Sequence, residues 1–241
     1  MNFTNAYADS IRAEAYAQLE FPGCYYLAYR DLPEIILRHV TGKNALDFGC
    51  GTGRSSRFLK RLGFKVIGVD IAENMISIAR KADPQGDYRL IREGQLDGLE
   101  KESFDLIQAI FTFDNIPGKD IRMCLMSQLK SVLKSDGAIL LLDSTPEIYF
   151  HEWTSFSTQN FPENREKMSG EKLKIVITDT NDHRPVADII WWDSDYRNLF
   201  RNTGLSLIAS YKPLGRANDP IDWVNETEIA PWIIYILRKS E

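Results

Sequence analysis

Short runs of consecutive apolar residues alternate with amphipathic stretches through the middle of the chain. Asn44–Phe48, Phe64–Val69, Asp87–Ile91, Phe104–Ile110 and Ala138–Leu142 read as strands. Strands covered on both faces are apolar throughout instead of alternating with polar residues. Between them, Thr52–Leu62, Ala72–Lys81 and Lys119–Leu133 read as helices. Gly63, Asp83-Pro84 and the turn Ser135-Asp136-Gly137 stop them. Strand and helix in alternation predict a parallel sheet wound with right-handed crossovers.

The flanks follow other patterns. Asn5–Leu19 reads as a helix stopped at Phe21-Pro22-Gly23, and Leu32–Val40 as a second, closed by Thr41-Gly42-Lys43. After Asp143 the alternation breaks into a polar and aromatic stretch to about Gly170, with Pro146 and Pro162 inside it. Leu173–Thr178 and Val186–Trp192 read as a hairpin with a long turn at Asp179–Pro185. A helix at Ser194–Arg201 and strands at Ser206–Tyr211 and Trp232–Leu237 finish the chain. The expected fold is α/β: one doubly wound, mostly parallel seven-stranded sheet with helices on both faces. Residues 1–43 form an N-terminal helical flap, 44–143 the ligand-binding core, 144–192 a lid or hairpin insertion after strand five, and 193–241 the rest of the sheet.

Composition narrows the function classes. A chain of 241 residues buries a sizeable core without staples. The formal net charge is −5 and no Lys/Arg-rich run occurs, so neither nucleic acid nor an anionic membrane is expected as a partner. Cys24, Cys50 and Cys124 are scattered, which argues against a disulfide framework or a zinc site. Histidines are few and unpaired, so no metal is expected. The first residues lack the apolar core of a signal peptide, and no run approaches the ~18 apolar residues of a membrane span. A cytoplasmic protein, monomer or homodimer, is the expectation.

The informative motif is Ala45-Leu46-Asp47-Phe48-Gly49-Cys50-Gly51-Thr52-Gly53, which follows a strand and opens a helix. Glycines there allow close backbone approach to a ligand, and a helix N-terminus offers free N–H groups. Asp70 ends the next strand, where a carboxylate can accept hydrogen bonds from ribose hydroxyls. Dinucleotide enzymes use Gly-x-Gly-x-x-Gly, but Arg54 stands where their last glycine would be. An NAD-dependent oxidoreductase is therefore a distant alternative.

The chain here resembles the class I, seven-stranded Rossmann-like methyltransferases that use S-adenosylmethionine (SAM). The resemblance spans about Gly42 to Leu142. It rests on Leu46–Gly53, on Val66-Ile67-Gly68-Val69-Asp70-Ile71 with Met75, on Ser103-Phe104-Asp105-Leu106-Ile107, and on the Leu133–Gly137 turn. It implies that Asp47, Gly49, Cys50 and Gly51 surround the methionine portion of SAM and that Asp70 binds the ribose. Ile71 and Met75 would pack on the adenine. Gly94-Gln95-Leu96 stands where the family often has Gly-Asp-Ala, which implies that Gln95 meets the adenine amino group beside Leu96. The backbone around Ile110, from Ala109 to Phe111, would meet the methionine amine.

The acceptor side carries no such pattern. Phe113-Asp114-Asn115-Ile116-Pro117 matches neither Asp/Asn-Pro-Pro-Tyr/Phe nor Leu-His-His. Asn115 is a candidate substrate contact or a helix cap. His151 and Asp114 are candidate bases, with an ordinary structural role open for each. Tyr26, Phe113 and Trp153 are candidate pocket walls or core. Arg30 is a candidate partner for the methionine carboxylate. Of the adjacent Trp191 and Trp192, at most one faces a pocket. The expected reaction is metal-independent, in-line transfer of the methyl of SAM to an O or N of a small-molecule acceptor, giving S-adenosylhomocysteine. A methyltransferase acting on RNA or protein, and a non-catalytic SAM-binding protein, remain the alternatives.

Overall fold

The computed structural model describes residues 9–240. Helices α1 (Ser10–Ala17), α2 (Gly23–Arg30) and α3 (Leu32–His39) precede the alternating core. The core runs β1 (Asn44–Phe48), α4 (Arg54–Arg61), β2 (Lys65–Asp70), α5 (Glu73–Ala82), β3 (Asp87–Leu90), β4 (Phe104–Ile110), α6 (Lys119–Val132) and β5 (Leu133–Ser144). Strands β6 (Phe156–Ser157), β7 (Lys172–Ile177) and β8 (Val186–Ile189) follow, then α7 (Asp193–Asn202), β9 (Leu205–Tyr211) and β10 (Trp232–Lys239).

The main sheet has seven strands in the order β3-β2-β1-β4-β5-β10-β9. Strands β1 to β5 pair in parallel. β10 runs antiparallel to both β5 and β9. Alternate residues of a strand face opposite sides, and β5 shows this in its packing. Leu140 and Leu142 join a core with Leu27, Leu32 and Leu59 of α2, α3 and α4. Ile139 and Leu141 join the opposite core with Leu129 of α6 and Phe200 of α7. The chain winds outward from β1 to β3, then restarts at β4 on the other side. The crevice at that reversal, above the carboxyl ends of β1 and β4, is where open α/β sheets bind ligands.

Several expectations change. Helix α1 ends at Ala17, ahead of Phe21-Pro22-Gly23, and a further helix not expected from the sequence starts there: Pro22 is the N-cap of α2. Proline suits a helix start because its missing N–H would have no partner there. The first helix is capped by Asp9, which accepts the Arg12 backbone N–H at 3.1 Å. The expected start at Asn5 lies outside the described residues. Strand β5 already begins at Leu133, so the Ser135–Gly137 turn is absorbed into an irregular stretch of strand opposite Phe104–Leu106. The hairpin gains a third strand, β6, and forms a separate antiparallel sheet. Arg12 ties α1 to the turn of that sheet, donating to the Pro185 carbonyl at 3.2 Å and pairing with Asp182 at 3.4 Å.

Candidate active site

The strand–turn–helix after β1 is built by a buried carboxylate. Asp47 is 1% exposed. It accepts the Ser55 hydroxyl at 2.6 Å, the Ser56 hydroxyl at 2.5 Å and the Gln108 amide at 3.3 Å. Burial pushes its carboxyl above the usual range, while these donors pull it down. Asp47 therefore fastens α4 and β4 under the loop and does not line the cleft, contrary to the expected contact with a ligand. Above it, Gly51 takes φ +52°, and a Cβ there would meet nothing nearer than the Met75 methyl at 4.0 Å. Bare backbone thus faces the cleft. Gly49, at φ +73°, is packed instead: a Cβ there would lie 2.4 Å from the Thr112 hydroxyl.

Asp70 closes the loop from the side. Its two oxygens accept the Gly51 N–H at 2.8 Å and the Ala72 N–H at 2.9 Å. Burial raises its carboxyl above the ordinary value, and the backbone donors oppose that shift. Across the crevice, Phe111 has φ +54°, a left-handed conformation for a non-glycine residue. Such a residue costs roughly 1–3 kcal/mol and concentrates at functional sites. The reversal returns Thr112 to β1, where its hydroxyl donates to the Phe48 carbonyl at 3.2 Å. It also aims the Phe111 ring at Trp232, 4.6 Å between centroids, and at Tyr25, 5.8 Å away.

One cleft joins these parts, with about 1470 Å³ of empty space that includes its opening to solvent. Gly49, Cys50, Gly51, Asp70, Ile71 and Met75 line one half, and Ile110 stands at the junction. Asp114, Asn115, Ile148, Phe156, Ile175 and Trp232 line the other half, under the small sheet. Burial and the charges of Asp47 and Asp70 drive the Cys50 thiol well above its ordinary value, so it stays protonated and inert.

Other candidates lie elsewhere. Gln95 is exposed. Leu96 packs in the core with its N–H on the Gln128 side chain at 2.9 Å. Glu93, Gly94 and Ile91 line that edge instead. Phe113 is fully buried against Phe48. Trp153 is core, its indole N–H on the Ile148 carbonyl at 2.8 Å. Tyr26 and His151 do not line the cleft. His151 sits at the surface 3.1 Å from Glu147. Arg30 pairs with Asp31 and Asp219, both at 2.8 Å. Trp191 is buried on Arg122 and Trp192 is exposed, so neither is a wall. Asn115 does not cap α6, whose N-cap is Gly118; its amide donates to Asp114 at 2.9 Å.

Two lining residues carried no role in the sequence. Arg54 lines the cleft with its guanidinium 4.7 Å from the Tyr25 ring and 5.1 Å from the Tyr16 ring. It donates to the Glu20 carbonyl at 2.8 Å and the Tyr16 hydroxyl at 2.9 Å. The signal was Arg54 itself, a cation at the first helical position, where the dipole disfavours positive charge. Asp188, on β8, also lines the cleft. Its signal was an acid inside an otherwise apolar strand.

Comparison with known proteins agrees with this geometry. A family model described as a methyltransferase domain matches residues 46–141, the stretch holding the glycine loop, Asp70 and β4. That stretch is a SAM-dependent methyltransferase domain of the class I kind. Among relatives, the methyltransferase is 25% identical over 199 residues to N-demethylindolmycin N-methyltransferase of Streptomyces griseus, covering 81% of this chain and 83% of that protein. It is 34% identical over 124 residues to a ubiquinone biosynthesis O-methyltransferase of Nitrosococcus oceani, covering 48% of this chain and 51% of that one. The chain thus spans about half the length of that second relative. A SAM-dependent methyltransferase from Clostridium acetobutylicum shares the fold at TM-score 0.62 and 13% identity, covering 98% of this chain and 96% of that chain.

SAM is the cofactor of this enzyme, and the residues present fit it. The backbone bared at Gly51 suits close approach of the methionine portion. Asp70, held by the Gly51 and Ala72 N–H groups, keeps acceptor capacity for a ribose hydroxyl. Ile71 and Met75 supply an apolar wall for a flat base.

Proposed function

We propose that the enzyme transfers the methyl group of SAM to a nucleophilic nitrogen or oxygen of a small molecule held under the small sheet. The observation that carries this reading is the single cleft whose halves meet at Ile110 and Phe111. The roofed half is bounded by aromatic and aliphatic side chains: Tyr25, Phe111, Phe156, Trp232, Ile175 and Val186. That chamber suits a compact, partly apolar acceptor better than a polymer strand. The relative from Streptomyces griseus is named for an N-methylation and that from Nitrosococcus oceani for an O-methylation. Both atoms are therefore compatible with relatives of this chain.

Bound SAM supplies a methyl group on a positively charged sulfur, activated for displacement. The protein's own work is positional. Gly49–Gly51, Asp70, Ile71 and Met75 hold the cofactor, and Asp47 keeps their loop in register through Ser55 and Ser56. The roof excludes water and holds the acceptor in line. Well-oriented encounters lower such barriers by roughly 7–11 kcal/mol. We read the reaction as metal-independent, because the sulfonium of SAM is already an activated methyl donor. Residues 1–43 act as flap, 44–143 as cofactor core and 144–192 as acceptor lid in this reading. A cytoplasmic setting fits the unbridged cysteines, Cys24 and Cys50 buried and Cys124 exposed. No helix among the described residues is long and apolar enough to cross a membrane.

Labelled SAM tests the reading. Incubated with small amines and alcohols, with total RNA and with unrelated proteins, the enzyme should label the small molecules. Label confined to RNA or protein would contradict it.

A further inference from the structure

The acceptor half of the cleft holds a charge that its apolar walls do not answer. Val186 and Asp188 are two apart on β8, so both leave the same face of the strand, and both line the cleft. Their partners on β7 are Ile175 and Leu173. Asp188 is thus a carboxylate set in an aliphatic roof. Its Oδ2 accepts the Tyr149 hydroxyl at 3.2 Å, while its Oδ1 takes no hydrogen bond among the described residues. From below, the turn Phe113–Asn115 packs against β8 and brings Asp114 to the same chamber. Asp114 is 5% exposed; its oxygens accept the Asn115 amide at 2.9 Å and the Ser144 hydroxyl at 3.1 Å.

The nearby cations do not neutralise this pair. Arg122 stacks on Trp191 at 4.1 Å and Tyr196 at 4.5 Å, and its field falls on both Asp114 and the buried Asp143. One guanidinium therefore faces two carboxylates before Asp188 is counted. Arg12 reaches Asp188 only through its field, its own contacts being Asp182 and the carbonyls of Arg184 and Pro185. Burial, then the neighbouring Asp114 charge, pushes the Asp188 carboxyl upward. A buried carboxylate without a cation keeps a proton. Asp188 is raised to about 8, so without an acceptor it holds a proton near neutral pH, and an entering cation takes that proton's place.

We propose that Asp114 and Asp188 recognise the acceptor as a basic amine on an apolar or aromatic body, and that the methyl group goes to its nitrogen. This rests on the methyl-transfer reading above and narrows its nitrogen-or-oxygen choice. The entering ammonium first displaces the Asp188 proton to solvent. It then gives one N–H proton to Asp188, which frees the nitrogen lone pair. That pair forms the N–CH3 bond, and the electrons of the breaking S–CH3 bond stay on sulfur. The methylated ammonium carries the positive charge away, and Asp188 keeps the proton it took from the amine, which restores the state without an acceptor. The Tyr149 hydroxyl holds Asp188 in place throughout, and Asp114 adds its charge to the same chamber.

The test uses the full chain, labelled SAM and a panel of arylalkyl amines, each paired with the alcohol of the same skeleton, beginning with 2-phenylethylamine and 2-phenylethanol. Transfer is expected to amines and not to their alcohols. For an amine that is methylated, Asp188→Asn should raise KM about tenfold or more while SAM affinity by calorimetry stays unchanged. Binding of that amine to the enzyme loaded with S-adenosylhomocysteine should tighten by up to about tenfold per pH unit between about pH 6 and 8, because a proton must leave. Asp188→Asn should flatten that slope, which loss of packing alone would not do. Asp114→Asn, which can still bond Ser144, should weaken amine binding as well. Alcohols methylated as well as amines, or an unchanged KM and slope in Asp188→Asn, would overturn the proposal. Transfer to neither series while SAM still binds would overturn the small-molecule reading itself, and this one with it.

Discussion

The two halves of the cleft are made by different means. The cofactor half is largely backbone: glycines in left-handed conformations, N–H groups on Asp70, and a buried Asp47 that fixes the loop from below. The acceptor half is side chain: rings from α2, the turn after β4 and β10 under a roof borrowed from the small sheet. Backbone geometry tolerates little change, and the motif that makes it is short and local. A chamber of side chains is re-shaped by single substitutions and gathers residues more than a hundred positions apart. On the proposed function, cofactor affinity belongs to residues 47–75 and acceptor choice to the turn after β4 and the strands after β5.

Substitutions in each half should separate the two properties. The largest effect falls on the support of the cofactor loop. Asp47→Ala leaves two hydroxyls and the Gln108 amide without their partner, a loss of about 3 kcal/mol in stability. Thermal unfolding should show Tm lower by about 6–12 °C. Next is Asp70→Ala, which should weaken SAM about 10- to 100-fold by calorimetry, the worth of hydrogen bonds to a charged group. Unchanged affinity would remove Asp70 from the cofactor half.

The acceptor half should show itself in pH dependence. The Asp188 carboxyl is raised to about 8 in the folded chain by burial and by Asp114. An unfolded aspartate titrates near 3.9. The folded state therefore holds the proton more tightly, and the stability this contributes is full below pH ~4 and lost as pH rises toward ~8. Denaturant unfolding between pH ~5 and ~8 should show the wild type losing up to about 1 kcal/mol per pH unit more than Asp188→Asn. Parallel pH profiles for the two would mean that Asp188 titrates as an ordinary surface acid. The smallest effect expected is that of His151→Ala. Its ring lies at the surface beside Glu147, outside the cleft, so kcat/KM should stay within about twofold. A large loss would show that the surface histidine reaches the acceptor.

The same contrast explains what the sequence showed. Strand β1 and strand β4 lie where their apolar runs predict them, because strands covered on both faces leave an unbroken signal. The glycine loop between β1 and α4 and the place of Asp70 at the end of β2 were legible because both depend on local spacing. Helix α2 was not, since Pro22-Gly23 marks a helix start as well as a stop. Strand β6 is two residues long and exists only by pairing with β7. Trp153 and Phe113 are aromatic residues near the site, and composition cannot tell a wall from the core behind it. Asp188 is an acid on an apolar strand, but only the fold shows that it faces Asp114.

The most direct measurement is a crystal structure of the enzyme with S-adenosylhomocysteine. The ribose hydroxyls should lie within hydrogen-bond distance of Asp70, the adenine against Ile71 and Met75, and the sulfur should open toward Phe111, Asp114 and Asp188. A nucleoside bound away from Asp70, or a sulfur turned from the roofed chamber, would contradict the division of the cleft into a cofactor half and an acceptor half.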